Sequence, residues 1–161
     1  DRITRLPEMN GNVIFHPNVT VATFDPDGAQ VTREQRRNLV TTSGLNIIRE
    51  LLLRGVSGTS LGYAPRYVAL GSSTTVVSAA DVELGSENYR DDVTVRSSSN
   101  KVATFQLFLD IGDGNGLTFT EAGLFDSPDN GEMLSRVVFT SIDKTSSLQV
   151  AITWDINLAG S

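Results

Sequence analysis

The most regular stretch of the chain is its last. Leu148, Val150, Ile152, Trp154, Ile156 and Leu158 alternate with Gln149, Thr153, Asp155 and Asn157, a period of two that puts six large apolar side chains on one face of a strand. Burying each is worth roughly 1.5–3 kcal/mol, so a one-residue slip would be costly and the register is expected to be fixed. Trp154 is therefore expected in the core rather than on a ligand-stacking surface. Lys101–Ile111 alternates as well: Ala103, Phe105, Leu107, Leu109 and Ile111 share one face, Thr104, Gln106 and Asp110 the other, and Phe108 breaks the rule on the polar side. Asp92–Arg96 leads through Ser97–Asn100, a plausible hairpin connection, into that strand. Arg66–Leu70 and Met133–Phe139 read as further strands, and residues 71–86 as a long loop across a surface.

Only one segment has a sustained helical period. Leu45, Ile48, Leu51 and Leu52 follow Ser43, a possible N-cap, and precede Gly55, so the spacing predicts an amphipathic helix over about 43–54. Thr32–Gln35 has capping-box spacing but no apolar face behind it, which predicts a helical turn and then a short extended segment. Residues 1–31 are broken by Pro7, Pro17 and Pro26 into short β-type pieces that cannot build a core of their own. They are expected to form an extended arm lying on the domain or on a neighbouring subunit. The architecture expected is mainly β, an antiparallel β-sandwich or jelly roll with one short helix: arm 1–31, single domain 32–161.

Composition narrows the partners. With 161 residues, 39% hydrophobic and 20% charged, the chain is expected to fold as one domain. No apolar run approaches the roughly 20 residues of a membrane span, and Asp1–Arg5 lacks a signal-peptide core, so no membrane partner is expected. The absence of cysteine excludes disulfides, thiol nucleophiles and thiolate metal sites. A net charge of -6 opposes a phosphate backbone, and a protein partner is expected instead of nucleic acid.

Candidate chemistry is sparse. The single histidine, His16, sits before Pro17 and reads as a surface or interface residue rather than a general base; Gly55–Thr59 lacks the closing glycine of a nucleophile elbow. Asp110, Asp113, Asn115 and Glu121 invite a calcium reading, but Gly112 and Gly114 occupy two of the alternate ligand positions, and a Gly-rich turn between strands explains them. Asp25 with Asp27 is a weaker candidate still, and Asn18-Val19-Thr20 is a chance glycosylation match. No phosphate-binding loop is present. Arg33, Arg36 and Arg37 form the one basic cluster, either a solvated turn or a docking patch. No paired carboxylates fit a glycosidase. No cofactor, metal or catalytic residue is expected.

The segment Tyr67–Thr75 with Ala80–Arg90, then Asn115-Gly116-Leu117-Thr118-Phe119-Thr120-Glu121-Ala122-Gly123-Leu124-Phe125-Asp126, then Met133-Leu134-Ser135-Arg136 and the final strand through Trp154-Asp155-Ile156, resembles small virion proteins of tailed bacteriophages. The helix 44–49 fits too, so the likeness spans about residues 38–158, and similar segments occur in N-terminal modules of tail-collar fibre proteins. It implies a virion location and a non-enzymatic role: an oligomeric decoration (cement) protein of the head, or a tail connector, baseplate or fibre-attachment protein of the same fold. It also implies other virion proteins as partners and a homotrimer. Phe108 and Val138, apolar on otherwise polar faces, and Phe15, His16, Phe24, Arg33, Arg36 and Arg37 are the candidate assembly contacts. Within the shared segment, Gly123 suits a bulge or close approach, with Leu124 and Phe125 filling the core beside it. Glu121 among apolar neighbours needs a partner if buried, supplied by Arg136 or Arg90.

Overall fold

A computed structural model describes residues 13–52 and 64–160. Among the described residues ten strands form two antiparallel five-stranded sheets that pack as a sandwich. One sheet contains β1 (Val13–Phe24), β2 (Gln30–Arg37), β6 (Val95–Ser99), β7 (Val102–Leu109) and β10 (Gln149–Gly160), in the order β2-β1-β10-β7-β6. The other contains β3 (Leu39–Val40), β4 (Tyr67–Gly71), β5 (Glu87–Asp92), β8 (Thr118–Phe125) and β9 (Met133–Asp143), in the order β3-β9-β8-β4-β5. The one helix among the described residues, α1 (Thr42–Leu52), packs on β9. Among the described residues no helix is long and apolar enough to cross a membrane.

The alternation of the last strand sets the core. Val150, Ile152 and Trp154 are fully buried between the sheets with Ile156 close behind, facing Val68, Leu70, Ala122, Leu124, Val137 and Phe139. Leu148 is only partly buried and Leu158 is exposed, so the row is anchored at its middle.

The segment expected as an arm is, from Val13 onward, part of this core. β1 pairs with β10 along its full 12 residues, and Val19 and Val21 are buried in the main cluster. Pro17 does not break the strand. Its carbonyl accepts from Asn38 N at 3.3 Å, so its nitrogen points to the same side, where the β1–β2 ladder ends at Asn18 and no donor is required. Residues 1–12 lie outside the described residues.

Thr32–Gln35 is strand, not a helical turn. The register Val21↔Glu34, Ala22↔Arg33 and Val19↔Arg36 ties it into the sheet, and pairing with β1 outweighs a capping-box spacing with no apolar face to support it. The hairpin is also displaced. Asp92 closes β5, Ser97–Ser99 belong to β6, and the turn falls at Asn100, whose φ of 52° is a left-handed conformation that asparagine tolerates.

The helix lies where its period predicts, but its cap is Thr41 instead of Ser43. Thr41 Oγ1 accepts from Gly44 N at 2.9 Å while Thr41 O takes the first helical bond, from Leu45 N. The same hydroxyl donates to Met133 O, and Thr41 is fully buried. The buried face runs through Gly44, Ile47 and, in part, Ile48 and Leu51; Leu45 and Leu52 are exposed. Gly44 is required by contact: a Cβ there would lie 2.1 Å from Leu134 O. Gly55 lies outside the described residues. Thr41→Ala removes both the cap and the tie to β9, and is expected to cost about 1–2 kcal/mol in urea denaturation.

Candidate functional site

The outer face of the second sheet is covered by residues 72–86, which return from the end of β4 to the start of β5 as a strap. Beneath it lies a small apolar cluster of Ala69, Leu84, Phe125 and Met133. Leu124 and Phe125 thus fill different cores: Leu124 points between the sheets, while Phe125 faces the strap. Gly123 sits in this second cluster, where a Cβ would meet Phe125 at 2.7 Å, Leu84 at 3.0 Å and Met133 at 3.1 Å. The need for glycine is close side-chain packing; the ladder irregularities of β8 fall beside it, not at it.

Glu121 and Arg136 stand on the same face. Glu121 is fully buried, and its Oε2 accepts from Arg136 Nε at 2.9 Å and Nη2 at 2.7 Å. The carboxylate also accepts from three strap amides: Ser73 N at 3.2 Å and Ser86 N at 2.8 Å on Oε1, Gly85 N at 3.1 Å on Oε2. Arg136 reaches outward with Nη1 to Asp81 Oδ2 at 2.9 Å and Nη2 to Thr75 O at 3.2 Å. Burial works against the guanidinium's charge, but the bonds to Glu121 and Asp81 outweigh it and hold its pKa above the ordinary arginine value. The strap is tied further by Thr120 Oγ1 to Ser73 O at 2.9 Å and by Thr42 N to Ala79 O at 2.8 Å. Gly71 lets it approach, since a Cβ there would stand 2.4 Å from Ser86 O and 2.5 Å from Glu121 Oε1.

Arg90 does not serve Glu121. Its guanidinium pairs with Glu87 at 2.7 Å, donates to Ser127 O at 2.9 Å and stacks over Phe125, 3.9 Å from the ring centre. The chemistry available to the cluster is hydrogen bonding and charge neutralisation: every oxygen and nitrogen of the Glu121–Arg136 pair faces a partner that fixes the strap.

The acidic residues of the 110–116 turn form a separate group from Glu121. Asp110 accepts from Ile111 N and Gln149 Nε2, both at 2.8 Å, and Asp113 accepts from Asp110 N at 2.9 Å. Asn115 Oδ1 accepts from Lys144 Nζ at 3.0 Å, and the same ammonium donates to Thr145 O at 3.0 Å. Lys144, 1% exposed, thus brings a covalently held cation to the turn; burial pulls its pKa below the ordinary lysine value, against the opposing charges of Asp113 and Asp110. Among the described residues no group of three or more His, Asp or Glu side chains is placed to hold a metal. Lys144→Met strands Asn115 Oδ1 and Thr145 O, and is expected to lower stability by about 1–3 kcal/mol, read from urea midpoints.

The remaining candidates are dispersed. Arg33, Arg36 and Arg37 are exposed along β2, and Arg36 pairs with Glu34, which also accepts from Thr140 N at 3.0 Å and so links β2 to β9 of the other sheet. Phe24, Phe108 and Val138 are half-buried. Phe15 and His16 pair through their backbones with Leu158 and Asn157, and their side chains lie outside the described residues.

Sequence reasoning missed Asp81, the strap amides and Asn38. The Asn38 carboxamide, oriented so that its oxygen faces donors, accepts from Trp154 Nε1 and Ser135 Oγ and donates to Pro17 O, each at 2.9 Å. Asn38 thereby joins both sheets. Nothing local marks it, because its three partners lie on β10, β9 and β1. Comparison with protein-family models, with curated proteins and with solved structures finds no match.

Proposed function

We propose that this chain is a non-enzymatic structural protein of a tailed-bacteriophage virion, an oligomeric decoration (cement) protein that stabilises the head. The reading rests on the resemblance carried by Asn115–Asp126, Met133–Arg136 and the final strand. One observation supports it above the others: Glu121, the one buried carboxylate of that resembling segment, is bonded to Arg136 and three strap amides, a scaffolding use of a charged group. In this reading the partners are the major capsid protein and further copies of the chain, as a trimer. The net charge of -6 disfavours nucleic acid as a partner.

The alternative is a tail connector, baseplate or fibre-attachment protein, favoured by the likeness of the same segments to N-terminal modules of tail-collar fibre proteins. A density map of the intact particle decides between them. Many copies at the symmetry axes of the shell are expected. A single ring in the tail supports the alternative, and particles lacking the chain sink both readings.

A further inference from the structure

Three asparagines of the chain precede a glycine: Asn10, Asn115 and Asn130. The dipeptide is chemically labile, because glycine has no Cβ to shield its nitrogen from the carboxamide one residue back. Asn10–Gly11 lies outside the described residues. Asn115 and Asn130 are both exposed, each in a connection between strands, so neither sequence nor exposure distinguishes them. Their hydrogen bonds do.

Asn115 is held at each atom that cyclisation would move. Nδ2 donates to Ile111 O at 2.8 Å, Oδ1 accepts from Lys144 Nζ at 3.0 Å, and the Gly116 nitrogen donates to Lys144 O at 2.9 Å. Lys144 is buried, so the ammonium that pins the carboxamide is itself fixed. The connection that carries Asn130 is tied through other residues: Asp126 N to Glu132 O at 3.3 Å, Glu132 N to Asp126 Oδ1 at 2.8 Å and Ser127 Oγ to Asp129 O at 3.0 Å. Among the described residues neither the Asn130 carboxamide nor the Gly131 nitrogen has a hydrogen-bond partner.

We propose that Asn130–Gly131 deamidates spontaneously in the folded protein, while Lys144 and its neighbours hold Asn115–Gly116 against the same reaction. The Gly131 nitrogen attacks Asn130 Cγ; the new N–C bond forms as the Cγ–Nδ2 bond breaks, and Nδ2 leaves as ammonia with the proton given up by Gly131. Water then opens the cyclic imide at either carbonyl, to aspartate or to isoaspartate. The product sets a carboxylate on a hollow of about 480 Å³ already lined by Glu83, Glu87 and Asp129, where Arg90 is the one lining cation and is paired with Glu87. Deamidation therefore adds like-charge repulsion between the β8–β9 connection and the strap. Both fates are properties of the chain alone and do not rest on the virion reading.

The test is peptide mapping by mass spectrometry of the full chain held in mildly alkaline buffer, once folded and once unfolded in urea. Conversion is read as the mass gain of an amide turned acid, with paired aspartate and isoaspartate peaks. In urea both dipeptides should convert at similar rates, since their local chemistry is the same. In the folded protein Asn130 should go on converting and Asn115 should lag it by at least about tenfold, because its three hydrogen bonds must open first. Lys144→Met removes the Oδ1 partner and should raise the Asn115 rate severalfold with unchanged circular dichroism. The wild-type comparison decides the matter whether or not that variant folds. An Asn115 that converts as fast as Asn130 in the folded protein, an Asn130 that converts only in urea, or a folded Lys144→Met chain whose Asn115 is as inert as in the wild type would overturn the proposal.

Discussion

Arg136→Met is expected to cost about 3–5 kcal/mol, because it leaves the Glu121 carboxylate fully buried without its counter-charge. Methionine fills a similar length, so the loss is electrostatic and not a cavity. The two guanidinium bonds to Glu121 disappear, and Asp81 and Thr75 O of the strap lose their anchor on β9. Glu121→Gln should also destabilise, by a smaller amount: an amide nitrogen would replace Oε2, facing Arg136 and Gly85 N, which are themselves donors. The pair is strongly coupled, so the double variant should cost much less than the sum of the single ones. Urea denaturation of the four proteins gives the cycle. Limited proteolysis adds a local readout, with cleavage within 72–86 rising in Arg136→Met before global unfolding. A loss below about 1 kcal/mol would mean that water reaches the carboxylate and that the cluster contributes no more than a surface ion pair.

What could be read from the sequence follows from how local each signal is. The alternation 148–158 carries its own face assignment, because the period of two belongs to any strand with one buried side, and Val150, Ile152 and Trp154 are buried as it requires. The partner of Glu121 was legible as Arg136 or Arg90, since a buried carboxylate demands a cation and few were in range; choosing between them needed the register Gly123↔Arg136, which no local pattern encodes. Pro17 misled for the same reason. Whether a proline interrupts a strand depends on whether a neighbour needs its missing donor, and here the adjacent ladder stops one residue short. Thr32–Gln35 carried a genuine capping spacing that non-local pairing overrode. The strap's role was invisible for a further reason: its contacts use backbone amides of Ser73, Gly85 and Ser86, and any residue but proline supplies those.

Trp154→Ala is expected to destabilise the fold by about 3–5 kcal/mol, through lost burial and a cavity between the sheets. Trp154 is fully buried at the centre of β10, opposite Val19 on β1 and Phe105 on β7, so both neighbouring strands border the space it fills. The indole also carries a polar load, since Nε1 donates to the Asn38 carboxamide that bridges Pro17 and Ser135. Trp154→Phe separates the two contributions: most of the ring volume stays and the donor goes, for an expected cost of about 1–3 kcal/mol. Asp155 points to the opposite face and accepts from Thr104 Oγ1 at 2.6 Å while half-buried, so Asp155→Ala should cost only about 0.5–1.5 kcal/mol. Chemical denaturation of the three variants should rank them Trp154→Ala, Trp154→Phe, Asp155→Ala. A Trp154→Ala protein as stable as the wild type but unable to associate would place the indole at an interface and reverse the assignment.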